Sequence, residues 1–329
     1  PLRRQRQMCI RDRLFERGGA RLRAPWRIII TGIVFVGVVA VASSVVQRFD
    51  PSIFAGRLIS TGVQLLGLAV ALAVAARWLD RRRVSEFGLA LDRRWWSDFG
   101  GGVAIGFLFH AAATLGHGAL GWLHLSDTMS PGAGGEPLIA GISVWLLFFA
   151  CVGLWEESLF RGVLIRNAIE GLGTSGLTPT GAVTTAGLIS AVVFGGLHVF
   201  ASLGHEGIPL WVIVLQAVIA GAYFVLAYVL TGSLALPFGL HFATNFADGV
   251  IFGGTSGPYS AYPAIWRFET SFTGTWEVTQ GLALPLSLVV VLATLAWVRW
   301  TRGRIRIDPE LKRATSGPAS PNEARNRWQ

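Results

Sequence analysis

The stretch "GLWEESLFRG" at 153–162 follows "PLIAGISVWLLFFACV" at 137–152, a run with no charge at all. The apolar run is nearly long enough to cross a bilayer as a helix. It then places Glu156 and Glu157 side by side, with Arg161 one turn later. An ionised side chain at the centre of a bilayer helix costs about 2.5–3.5 kcal/mol on the insertion scale. Either the carboxylates mark where the helix leaves lipid, or they are its purpose. On an α-helix, residues i and i+4 share a face. Glu157 and Arg161 can therefore neutralise one another, whereas Glu156, turned by about 100° from Glu157, faces elsewhere.

The rest of the chain has the composition of a membrane protein. It is 52% hydrophobic and 14% charged, where soluble domains carry about 25% charged residues. The net charge of +9 does not point to nucleic acid, because the arginines cluster between apolar runs, as topology determinants and contacts to anionic lipid do. Cys9 and Cys151 lie in a basic leader and an apolar run, so no disulfide framework is indicated. Residues 1–13 lack apolar periodicity and resemble translated adapter sequence; they are set aside as artefactual.

Eight apolar segments are expected to span, at 26–46, 58–79, 99–122, 138–160, 182–203, 208–230, 232–253 and 281–299. The fold class is an all-α polytopic membrane protein of about eight transmembrane helices enclosing an intramembrane cavity. A basic leader over 1–25, a single membrane domain over 26–303 and a disordered tail over 304–329 complete the expected organisation. Basic residues concentrate in the leader, around Arg81–Arg83 and Arg93–Arg94, and after Arg299. By the positive-inside rule both termini are then cytoplasmic, in the plasma (inner) membrane.

Few ionisable residues fall within the spans: Glu156, Glu157 and Arg161 in the fourth, His198 in the fifth, His241 and Asp248 in the seventh. Asn245 accompanies them. His110, His117 and His124, seven apart, fall on or at the end of the third, and interhelical hydrogen bonding is their simplest use, with a haem or metal site as the alternative. A carboxyl at helix end as a stop signal, and His or Asn as glue between helices, explain each polar residue singly. They do not explain Glu, two His and Asn on three spans together.

At these residues the chain resembles the CAAX-protease and bacteriocin-processing (CPBP, or ABI) intramembrane proteases, related to the type II CAAX prenyl endopeptidase. The family pattern EExxxR, FxxxH, HxxxN stands here as "EESLFR" (156–161), "FGGLH" (194–198) and "HFATN" (241–245), complete and in order. The resemblance implies an intramembrane endopeptidase. Glu156 and His198 would hold and activate the attacking water, and His241 and Asn245 would stabilise the oxyanion. Glu157, Arg161 and Phe194 would be structural support. The expected partner is a peptide or protein with a hydrophobic or lipidated end, within membrane lipid and without nucleic acid. Glu156, His198 and His241 also make a His₂Glu set that suits one divalent metal such as zinc. No HExxH pair is present, and a metal-independent glutamate mechanism is favoured. The alternative function is an ion- or proton-coupled transporter using the same buried groups.

One geometric condition attaches to this reading. If the fourth helix ended at Glu156, that carboxyl and His198 would lie at opposite faces. The helix must therefore continue through "LFRGVLIRNA", and the fifth is expected to begin later than hydropathy places it.

Overall fold

The computed structural model describes residues 14–16, 21–132, 136–201, 209–253, 262–270 and 282–316. They form a helical bundle. Helix α1 is Ala24–Val46, α2 Ile53–Val74, α3 Arg93–Ala119, α4 Leu138–Gly173, α5 Pro179–Ala201, α6 Leu210–Thr231, α7 Ala235–Phe246 and α8 Ala283–Arg302. Six of these, α1 to α6, are long and apolar enough to cross a membrane, and the protein is a multi-pass membrane protein. The seventh and eighth expected spans are present as α7 and α8 but are not among those six.

Local chemistry sets the helix ends. Pro25 opens α1 at a position where its missing N–H is no loss. Ser52 caps α2 by accepting from the Ala55 amide at 3.2 Å, and Asp92 caps α3 by accepting from the Trp95 amide at 2.7 Å. Gly232, at φ 65°, ends α6.

Helix α4 is the main departure from the hydropathy reading. It does not stop near residue 160 but runs unbroken to Gly173, with Ser158–Ile165 wound as a π-helix. The first turns of the continuation are packed: Val163, Leu164 and Ile165 are buried against α1, α2 and α5. The fifth helix begins at Pro179, earlier than its expected start rather than later. The extension of α4 alone meets the depth condition.

Close packing depends on missing side chains. Helices α3 and α7 touch backbone to backbone: a Cβ on Gly239 would lie 2.1 Å from the Phe99 carbonyl oxygen, and one on Gly102 2.3 Å from that of Leu236. Small residues at such crossings let helices approach closely in a membrane, where dispersion rather than water release drives association.

The basic segments gather at one end of the bundle. Arg27 and Asp80, both fully buried, pair at 2.6 Å. Glu170 of α4 receives Arg21, Arg27 and Arg82, and Arg302 pairs with Asp98. The tail expected to be disordered from 304 is folded here as far as residue 316. Its short helix α9, Pro309–Arg313, inserts Leu311 without exposure among Ile165, Ile169 and Val183, and the Asp308 amide donates to the Val229 carbonyl at 2.8 Å. One buried leucine anchors a segment whose composition is otherwise polar. Residues 317–329 lie outside the described residues, as do 1–13.

The opposite end carries an element that the all-α expectation missed. Strands β1 (Leu123–Ser130) and β2 (Ala264–Thr270) pair antiparallel with a bulge between Leu125 and Asp127. Tyr262 stacks on Trp145 with ring centroids 3.6 Å apart, which seats the strands over α4. His124 belongs to β1 and not to the third helix, so the seven-residue histidine series is broken. His117 instead accepts from the Leu282 amide at 3.2 Å.

Gly239→Ala should cost about 1–3 kcal/mol, because the added methyl meets immovable backbone. Gly37→Ala, where nothing lies within 4 Å, should leave stability unchanged. Thermal melts of both variants in one detergent check the contrast.

Candidate active site

The continuation of α4 brings the expected residues to one level. At 1.5 Å per residue, Glu156 lies about 26 Å from Gly173 along α4, and His198 about 28 Å from Pro179 along α5. Residues 174–178 join those two helix ends. Helix α4 runs from the strand end towards the basic end, and α5 and α7 run the other way. Side chains lean towards the N-terminus of their own helix. The Glu156 carboxyl therefore leans towards the strands, while His198 and His241 lean towards the basic end, and the groups converge.

Glu157 is the hub. Its Oε1 lies 3.1 Å from Arg161 on its own helix and 2.8 Å from His241 Nδ1 across on α7. Glu157 and Arg161 have no exposure and His241 has 4%. The pairing with Arg161 follows the i, i+4 expectation. The contact to His241 does not; the sequence reading gave Glu157 a supporting role confined to its own helix. A carboxylate only accepts, so Nδ1 donates to it and Nε2 is turned towards the reaction space. Nothing in local spacing reveals this bond, since it depends on how α7 is rotated against α4.

Glu156 occupies the other side of that ring. Its Oε2 is 3.7 Å from His241 Nε2, too long for a direct hydrogen bond. This oxygen is shielded from solvent and has no hydrogen-bond partner. The two atoms face one another without a direct bond, and the oxygen is left open to a group that enters the site. His198 is a neighbour of Glu156. Its Nδ1 is 2.8 Å from the Phe194 carbonyl. A carbonyl cannot donate, so Nδ1 carries a proton, and Nε2 is the nitrogen left to face other groups.

Aromatic rings fix these orientations. Phe194 lies against His198 at 4.7 Å and edge-on to His241 at 5.9 Å, and the Arg161 guanidinium sits 4.4 Å from its centroid. Phe224 of α6, which sequence reading did not single out, stacks on His241 at 4.6 Å. Arg161 also donates to the Gly221 carbonyl at 3.3 Å. Asn245 stands one turn beyond His241 on α7, partly buried.

Among the described residues no three His, Cys, Asp or Glu side chains are grouped closely enough to hold a metal ion. Glu156, His198 and His241 are neighbours, but they are not disposed as a coordination sphere, and His241 Nδ1 is committed to Glu157.

Residues 138–247 match the family model described as type II CAAX prenyl endopeptidase Rce1-like. The matched segment is about a third of the chain and contains all three motifs. It supports the CAAX-protease family and, in general terms, CAAX-type proteolysis within a membrane. No curated protein and no solved structure matches the chain.

The two adjacent carboxylates should behave oppositely when altered. Glu157→Ala leaves Arg161 buried and unpaired and should cost about 3–5 kcal/mol. Glu156→Gln removes a charge that has no hydrogen bond and should leave stability equal or raised. Denaturation of both variants in the same micelle decides between them.

Proposed function

We infer that the chain is an intramembrane endopeptidase in which Glu156 and His198 activate water, and His241 and Asn245 receive the developing oxyanion. The observation that carries this reading is the unpartnered, shielded Glu156 Oε2 facing His241 Nε2 across 3.7 Å. Amide hydrolysis needs a base beside a water and donors beside the oxygen that becomes negative.

In this mechanism a water held between Glu156 and the accepting Nε2 of His198 gives its proton to Glu156 as its oxygen attacks the carbonyl carbon. The carbonyl π electrons move to oxygen. That oxyanion is met by the Asn245 amide and by His241. A His241 ring carrying both protons donates to Glu157 from Nδ1 and to the oxyanion from Nε2. Collapse re-forms the carbonyl, breaks the C–N bond and passes the proton from Glu156 to the leaving amine. Glu157 and Arg161 act by holding His241 at the correct angle. No step requires a metal or a cofactor.

The family description, a prenyl endopeptidase, favours a substrate whose scissile bond lies near a hydrophobic or lipidated end. Such an end can remain in lipid while the peptide reaches the helix-enclosed site. The gathering of basic segments at the end formed by Arg27, Arg82 and Arg302 favours that end as the cytoplasmic one.

Purified protein in proteoliposomes should cleave a member of a labelled library of peptides with apolar or lipidated ends. Glu156→Ala and His198→Ala should abolish cleavage, and Asn245→Ala should lower kcat by about 10²–10³, the worth of one oxyanion donor. Full activity in either of the first two variants would remove the reading. Cleavage should survive strong chelation; loss that zinc restores would reassign Glu156, His198 and His241 as ligands.

A further inference from the structure

Asp248 and His110 have no part in the mechanism above, yet they adjoin it. Asp248 follows His241 by seven residues and Asn245 by three, which returns it to the same side of the helix. It lies in the π-helical turn Ala247–Ile251 that continues α7; such turns recur at functional sites because they re-aim a side chain. His110 of α3 faces it, with Nδ1 3.8 Å from Oδ1. That gap exceeds hydrogen-bond reach.

The two groups meet only each other, at ion-pair distance. Among the described residues neither side chain makes a hydrogen bond, and His110 Nε2 is sealed from solvent without one. The two side chains still keep 16% and 27% of their surface open, so they face space and are not plugged into packing. Their surroundings are aromatic, with Phe109 edge-on to His110 at 4.8 Å and Phe107 against Phe252 at 5.9 Å. A carboxyl placed among such groups is costly until a donor meets it. Among the described residues no donor comes within hydrogen-bond reach of it, and Arg161 of the neighbouring site is committed to Glu157. With Asp248, three carboxyl groups stand on α4 and the continuation of α7 against one arginine, so the region carries an excess of acid.

We propose that Asp248, positioned by His110, forms a substrate subsite that takes a cationic side chain, lysine or arginine, close to the scissile bond. The proposal rests on the peptidase reading and names what that site selects. The ammonium or guanidinium fills the donor vacancy at Asp248 and offsets the acidic excess. Because the subsite shares a helix with His241 and Asn245, the cationic residue and the scissile carbonyl are held in fixed register.

The test uses the full chain in proteoliposomes and fluorescent peptides identical except for lysine or norleucine at each position flanking the scissile bond. Wild type should cleave one lysine peptide at least about tenfold better in kcat/KM than its norleucine twin, equivalent to 1.4 kcal/mol. Asp248→Asn should bring that ratio close to one, chiefly through KM. Equal cleavage of every pair by wild type, or an unaltered ratio in Asp248→Asn, overturns the subsite while leaving the peptidase intact. The wild-type ratio needs no variant to fold. If no peptide is cleaved, the peptidase reading falls, and binding decides the subsite by itself. The Glu156→Gln protein should bind the lysine peptide more tightly, and the added Asp248→Asn should erase the difference; equal binding by Glu156→Gln overturns the subsite.

Discussion

One carboxylate shared by an arginine and a histidine organises the centre of this protein. Glu157 has no exposure, and its oxygen joins Arg161 of its own helix to His241 of another. A buried ion pair repays its desolvation only when its geometry and remaining hydrogen bonds are good. The rings around it are arranged accordingly. Phe194 covers the guanidinium, Phe224 lies on the imidazole, and the Gly221 carbonyl takes a further N–H. Such a unit stabilises weakly but orients strongly. It sets the rotation of α7 against α4, and hence where the second nitrogen of His241 and the amide of Asn245 can point.

The neighbouring carboxylate has the opposite character. Glu156 keeps an oxygen without a partner in a shielded position, a condition a folded protein tolerates where the group has work to do. Two glutamates adjacent in sequence thus divide into one whose bonds are satisfied within the protein and one whose bonds are left open. Helix rotation makes the division. The antiparallel course of α4 against α5 and α7 then brings the open oxygen and the imidazoles together, because every side chain leans back along its own chain direction.

Much of this was legible in the sequence, and the unreadable parts share a cause. The i, i+4 pairs are local, so the Glu157–Arg161 contact and the common face of His241 and Asn245 follow from helix geometry alone. The helical segments follow from apolar runs. The continuation of α4 past Arg161 followed from the depth condition, although the hydropathy span stopped at 160; the burial of Arg161 and Arg166 explains how the helix carries them. The Glu157–His241 bond, the stacking of Phe224 and the pairing of β1 with β2 did not follow; each joins residues far apart in the chain. The helix α9 was hidden for another reason: one leucine among polar neighbours is no signal until the groove that receives it is known.

The length of α4 has a bearing on how the protein sits in lipid. Thirty-six residues make a rod of about 54 Å, against a hydrocarbon layer of about 30 Å. Inclination alone cannot absorb the excess, since helices rarely lean beyond about 40°. A segment of α4 must therefore project from the oil, and the end bearing Arg166, Asn167 and Glu170 has its polar groups partnered within the protein. The salt-bridge knot that Glu170 makes with Arg21, Arg27 and Arg82 is what holds that end to its neighbours. Loss of those arginines would therefore unmoor the far end of α4 from α1 and α2.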